Sequence, residues 1–96
     1  MAITLNKYAI LSEEIAMAEG RINDQSSAQP LLYDVSRHWR RALDSTGYRS
    51  ELGRWTEKEV VMGELILSAV AYLRRKGCGN IEMLLKDTIE RQRAGK

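Results

Sequence analysis

The stretch VVMGELILSAVAYL, residues 60–73, carries a single charged side chain, Glu64. A carboxylate in so apolar a run has to be paired, protonated or turned toward a ligand, because an unpaired buried charge costs several kcal/mol. The residues that could answer it lie on the preceding helical segment, DVSRHWRRAL: Asp34, Arg37, His38, Arg40 and Arg41. Tyr72, further along its own segment, is another candidate partner. A hard cation needs several converging oxygen ligands, commonly carboxylates one helical turn apart. One turn beyond Glu64 stand Leu67 and Ser68, neither of them an anionic ligand. Glu64, His38 and Asp34 could converge on a metal only if the fold brings the two segments together. Glu64 paired with a nearby base or tyrosine is the simpler reading.

Other chemistry has less support. Cys78 lies in GCGN, far in sequence from the single histidine, and a thiol nucleophile needs a base and an activating field. Its flanking glycines suit a helix-ending turn, since neither the dinucleotide-binding nor the phosphate-loop glycine pattern is present. Next to Trp39 on an apolar stripe, His38 reads as a hydrogen-bonded core histidine, and without a second histidine there is no histidine-rich metal site. Arg37, Arg40, Arg41, Arg49 and Arg54, with Trp39 and Tyr48, could grip phosphates or stacked bases. A solvated face paired with neighbouring acids explains them more simply. The net charge of +2 is low for a dedicated nucleic-acid module.

Four helical segments must position these residues. Leu5, Tyr8, Leu11, Ile15, Ala18 and Ile22 recur every three or four residues and predict a first helix over about 5–22. Turn formers follow, and Pro30 opens a second helix over about 30–45, with an inner stripe of Leu31, Leu32, Val35, His38, Trp39, Ala42 and Leu43 and a stop at Gly47. Thr56 and Glu59 spell a capping box that starts a third helix over about 57–76, ended by Gly77. This helix is apolar nearly all round and should be central. Asn80 caps a fourth helix over about 81–93, with Ile81, Leu84, Leu85, Thr88, Ile89 and Gln92 facing inward. The expectation is a single all-α domain, residues 1–96, of four-helix bundle type.

Ninety-six residues give a modest core, so a homodimer is expected to cover the remaining apolar faces. One cysteine permits no intrachain disulfide and fits a reducing compartment, the cytoplasm. The N-terminus has no secretory pattern, and residues 60–73 are too short to span a bilayer, so no membrane partner is expected.

The order of these elements resembles the MazG-like, all-α nucleoside triphosphate pyrophosphohydrolase group. The likeness is carried by GELILSAVAYLRRKGCGNIEMLLKDTIERQ, where Glu64-Leu65 stands for the group's E-L-x-D start and Gly79-Asn80-Ile81-Glu82 for its joint into the last helix. The resemblance implies a cleft between the second and third helices that would hold Mg²⁺ through acids. Here the two acids of the group's E-x-x-E are His38 and Arg41, its third-helix Asp is Leu67, and the Lys and Asn of its last helix are Thr88 and Gln92. Only Glu64 is kept. An alternative register through LSEEIAMAE, using Glu13 and Glu14, puts Glu19 at the wrong spacing and leaves an extra helix.

The resemblance therefore implies a catalytically degenerate member. Its remnant cleft, built from Glu64, His38, Arg41 and Asp34, would bind a nucleotide, another small ligand or a protein partner. No cofactor is expected. The rival expectation is an active Mg²⁺-dependent pyrophosphohydrolase using Glu64, Asp34, His38 and Glu13 or Glu14, with Glu64 as metal ligand. A third is a protein- or nucleic-acid-binding helical module.

Overall fold

The computed structural model describes residues 4–25, 27–45, 49 and 53–95. It contains four helices, α1 (Leu5–Ala18), α2 (Gln29–Asp44), α3 (Glu57–Arg75) and α4 (Ile81–Ala94). The described residues contain no strand, only an isolated antiparallel bridge between Arg49 and Thr56. Among them no helix is long and apolar enough to cross a membrane. The expected stop at Gly47, and Tyr48, lie outside the described residues.

Local chemistry sets the helix ends. Thr56 accepts from the Glu59 N–H at 3.1 Å, and the Glu59 carboxylate accepts from the Thr56 N–H at 3.0 Å, so the capping box is complete. Asn80 accepts from the Met83 N–H at 3.0 Å, and Thr4 from the Lys7 N–H at 3.2 Å. At the far end of α3, Gly77 takes φ 100. The Cys78 N–H then reaches the Leu73 carbonyl, and the Gly77 N–H that of Arg74. This pattern satisfies carbonyls that a helix end leaves bare, and glycine adopts the left-handed backbone it needs without strain.

The first helix is shorter than its apolar spacing predicts. Gly20, at φ 75, repeats the same ending: Arg21 N–H donates to the Ala16 carbonyl and Gly20 N–H to that of Met17. α1 therefore stops at Ala18, and Ile22, taken as its last inner residue, is buried in the joint instead. The inner face is also rotated from the expected stripe. Ala9, Ser12 and Ala16 are buried, whereas Tyr8 and Ile15 are exposed. Small residues let α1 approach α3 closely, and the Ser12 hydroxyl donates to the Leu67 carbonyl at 2.9 Å.

α3 is central and touches each of the other three helices. One cluster joins Ala16, Ile22, Leu31 and Ala71, with Tyr72 against it. Another joins Ala9, Val70 and Ile81, with Leu5, Leu73 and Cys78 against it. The largest fully buried side chains are Leu31, Ile81 and Val61, so the core is thin.

α4 departs most from expectation. Of its predicted inner face only Ile81 is buried, while Leu84, Leu85 and Ile89 are exposed. Its base is held by α1. Leu5 N–H donates to the Glu82 carboxylate at 2.9 Å, and Ile81 N–H to Asn6 Oδ1 at 2.7 Å. The first turns of two helices thus cap one another, with Glu82 placed where both need negative charge.

Candidate functional site

On α2 the buried residues are Leu31, Asp34, His38 and Ala42, spaced as one helical face that lies on α3. Leu32, Trp39 and Leu43 were expected on that face and are exposed instead, because the buried stripe runs one side of them. The polar members of the buried face, with the facing acids of α3, form the candidate site.

Asp34 is buried, and both its oxygens are taken by guanidiniums. Arg21 donates to Oδ2 at 2.6 Å and Arg37 to Oδ1 at 2.7 Å. Arg21 also reaches Glu19 at 2.7 Å. Burial alone would lower the Arg21 pKa; hydrogen bonds to Asp34 and Glu19 outweigh it and raise the value above the ordinary one. Sequence spacing did not single out Arg21. Its position follows from the left-handed Gly20, which turns the chain back toward α2, and a glycine followed by arginine just past a helix was the available signal.

Glu64 is half-exposed and stands opposite His38 and Arg41. Arg41 Nη1 is 3.7 Å from Glu64 Oε2, and His38 Nδ1 is 3.9 Å from the same oxygen. Arg41 also donates to Glu57 at 3.3 Å, a second acid the sequence reading missed because its approach depends on how α2 and α3 cross. Both approaches to Glu64 are longer than a hydrogen bond. The carboxylate is charge-compensated, yet neither contact uses its lone pairs in a hydrogen bond. His38 is buried and its Nδ1 has no hydrogen-bond partner. Burial holds the His38 pKa below its ordinary value; Glu64 and Asp34 pull it upward, while Arg37 and Arg41 press it further down.

The remaining candidates sit elsewhere. Glu13 lies 3.7 Å from both Arg74 and Arg75. Those arginines are roughly ten residues beyond Glu64 on α3, about 15 Å along the axis. Glu14 is exposed, as are Arg40 and Arg54. Arg49 donates to the Gly53 carbonyl. Tyr72 packs on the core cluster of Leu31 and Ala71 rather than on Glu64. Among the described residues, no three His, Cys, Asp or Glu side chains group in a way that could hold a metal ion.

Beside Glu64 opens an apolar groove of about 820 Å³ between α1 and α3, walled by Tyr8, Trp55, Met62, Ile66 and Leu67. Glu64 belongs to both settings: it lines the groove and it faces the polar pair on α2. No protein family, curated protein or solved structure matches the chain in the comparisons made.

Proposed function

We propose that the chain is a divergent, catalytically silent MazG-like helical protein that acts as a homodimer in the cytoplasm. It binds a nucleotide or similar small ligand at the Glu64 cleft without a divalent metal. The observation that carries this reading is the charge state of the cleft. Asp34 lies between two guanidiniums at hydrogen-bond distance, and Glu64 already faces Arg41. A fixed guanidinium there does the electrostatic work a cation would do, and it cannot activate water as a bound metal does.

The same geometry favours binding. Glu64 retains hydrogen-bonding capacity next to an apolar wall, the combination that small-ligand sites use. A ligand with an amino or amide N–H, such as a nucleobase edge, would donate to Glu64 while its ring lies against the groove. The single cysteine suits a reducing compartment.

Thermal melting with a panel of nucleotides and nucleosides in the presence of chelator tests the proposal. A ligand should raise the melting temperature equally with and without Mg²⁺, and Glu64→Ala should abolish the rise. No shift from any of them removes the ligand assignment. Pyrophosphate release that stops with chelator and in Glu64→Gln removes the silent assignment.

A further inference from the structure

The groove between α1 and α3, at about 820 Å³, has the size of a small-ligand site. Its charged lining residues are Lys58, Glu59 and Glu64. Glu59 is occupied: its Oε1 accepts from the Thr56 N–H at 3.0 Å and from the Thr56 hydroxyl at 2.9 Å. Glu64 is therefore the carboxylate left to a ligand. Arg41 and His38 stand 3.7 Å and 3.9 Å from its Oε2, too far to hydrogen-bond, so its oxygens keep their lone pairs. A carboxylate only accepts, and its two oxygens form a fork that takes paired donors. Tyr8 and Trp55, 40% and 47% exposed, supply aromatic surface to the same groove.

We infer that this groove selects a guanine base, with Glu64 as the residue that determines specificity. The inference rests on the ligand part of the function proposed above and names the base. Guanine presents its N1–H and its 2-amino N–H side by side, a match to the carboxylate fork. Adenine and cytosine place a ring-nitrogen acceptor beside their amino group, and uracil flanks its N3–H with carbonyls. Each of these would set an acceptor against a carboxylate oxygen, and a polar site discriminates strongly against a ligand that leaves it unpaired.

Arg41 argues against a cationic ligand. Its guanidinium already answers the Glu64 charge, so a second cation there would meet it at close range. A neutral base gains both hydrogen bonds without adding charge. Stacking on Tyr8 or Trp55 favours a flat ring over an aliphatic amide, but every base has a ring face, so stacking does not choose among them. That choice falls to Glu64.

Calorimetric titration of the full chain, in chelator, with guanosine, inosine, adenosine, cytidine and uridine, and with GTP and ATP, tests this. Guanosine should bind tightest of the nucleosides, and GTP tighter than ATP, because the base carries the selection. Inosine lacks the 2-amino group and should bind about tenfold more weakly than guanosine, the worth of one hydrogen bond to a charged acceptor. Glu64→Gln replaces one acceptor with a donor, and an amide matches the adenine edge. That variant should lose the guanosine preference and bind adenosine at least as tightly. A structural role alone would weaken every nucleoside alike in Glu64→Gln, and that result overturns the inference. Equal affinity for guanosine and inosine, or tighter binding of another base, overturns the guanine assignment and leaves the ligand reading standing. Binding of no member of the panel overturns both. If Glu64→Gln loses helicity, 1-methylguanosine decides on the wild type: it has no N1–H, and affinity equal to that of guanosine overturns the inference.

Discussion

Between α2 and α3 the chain buries Leu31, Asp34, His38 and Ala42 and meets Asp34, Glu57 and Glu64 with guanidiniums. Along α4 it buries Ile81 alone and leaves Leu84, Leu85 and Ile89 a third to a half exposed. The first region is packed and charge-paired within the chain, with His38 Nδ1 left without a hydrogen-bond partner. The second is a helix whose base is fixed and whose apolar side is unmet. One half settles the charge of a cleft locally, and the other leaves an apolar face that the proposed homodimer would have to bury.

The largest test of that contrast is concentration. Leu31→Ala removes a fully buried side chain and should cost about 2–5 kcal/mol, and the loss seen in urea unfolding should be the same at every protein concentration. If the proposed homodimer buries the α4 face, Leu85→Ala should cost little in dilute protein and progressively more as the dimer fills, because association stabilises by mass action. A concentration-independent cost at both positions would erase the distinction between the two regions.

The charged half offers a smaller effect. Asp34→Asn should lower stability by about 1–3 kcal/mol, at the low end because Arg37 is largely exposed. His38 adds a pH signature. Its folded pKa lies below the ordinary 6.5, mainly through burial. Between the folded and the ordinary value the unfolded chain therefore binds more protons. Stability attributable to His38 is full above about 6.5 and falls as pH drops through the folded value. Urea midpoints between pH 7.5 and about 5 should decline in the wild type and decline less in His38→Gln; matching slopes would remove His38 as the cause.

The smallest effect is expected at the start of α3. Thr56→Ala should cost about 1 kcal/mol by thermal unfolding, the usual worth of an N-cap. The Glu59 pKa is held below its ordinary value by the Thr56 backbone N–H and then by its hydroxyl. That contribution is present above the ordinary glutamate value and is lost as pH falls through the lowered one. A wild-type chain and Thr56→Ala should thus converge in acid, and a gap that stays constant down to pH 3 would contradict the capping account.

Much of the fold could be read from spacing, because helix type and caps are local. The Thr56–Glu59 box and Gly77 set α3 within a residue of its expected bounds. Facing was harder. On α1 the large apolar residues form a regular stripe, yet the stripe that packs is Ala9, Ser12 and Ala16, since close approach to α3 rewards small side chains. Gly20 was hidden inside a spacing that continued to Ile22. In the site, Glu64 stood out as the lone charge of its segment, and His38 and Arg41 stood out one turn apart on α2. Arg21 and Glu57 did not, because a turn and a helix crossing place them, and neither leaves a periodic trace.

The mutual capping of α1 and α4 ties together residues more than seventy positions apart: Leu5 with Glu82 and Asn6 with Ile81. Fraying at either helix start strips a partner from the other. Amide exchange in the two first turns should therefore rise and fall together, so that the opening and closing helices of the chain come loose as one unit while the α2–α3 pair stays shut.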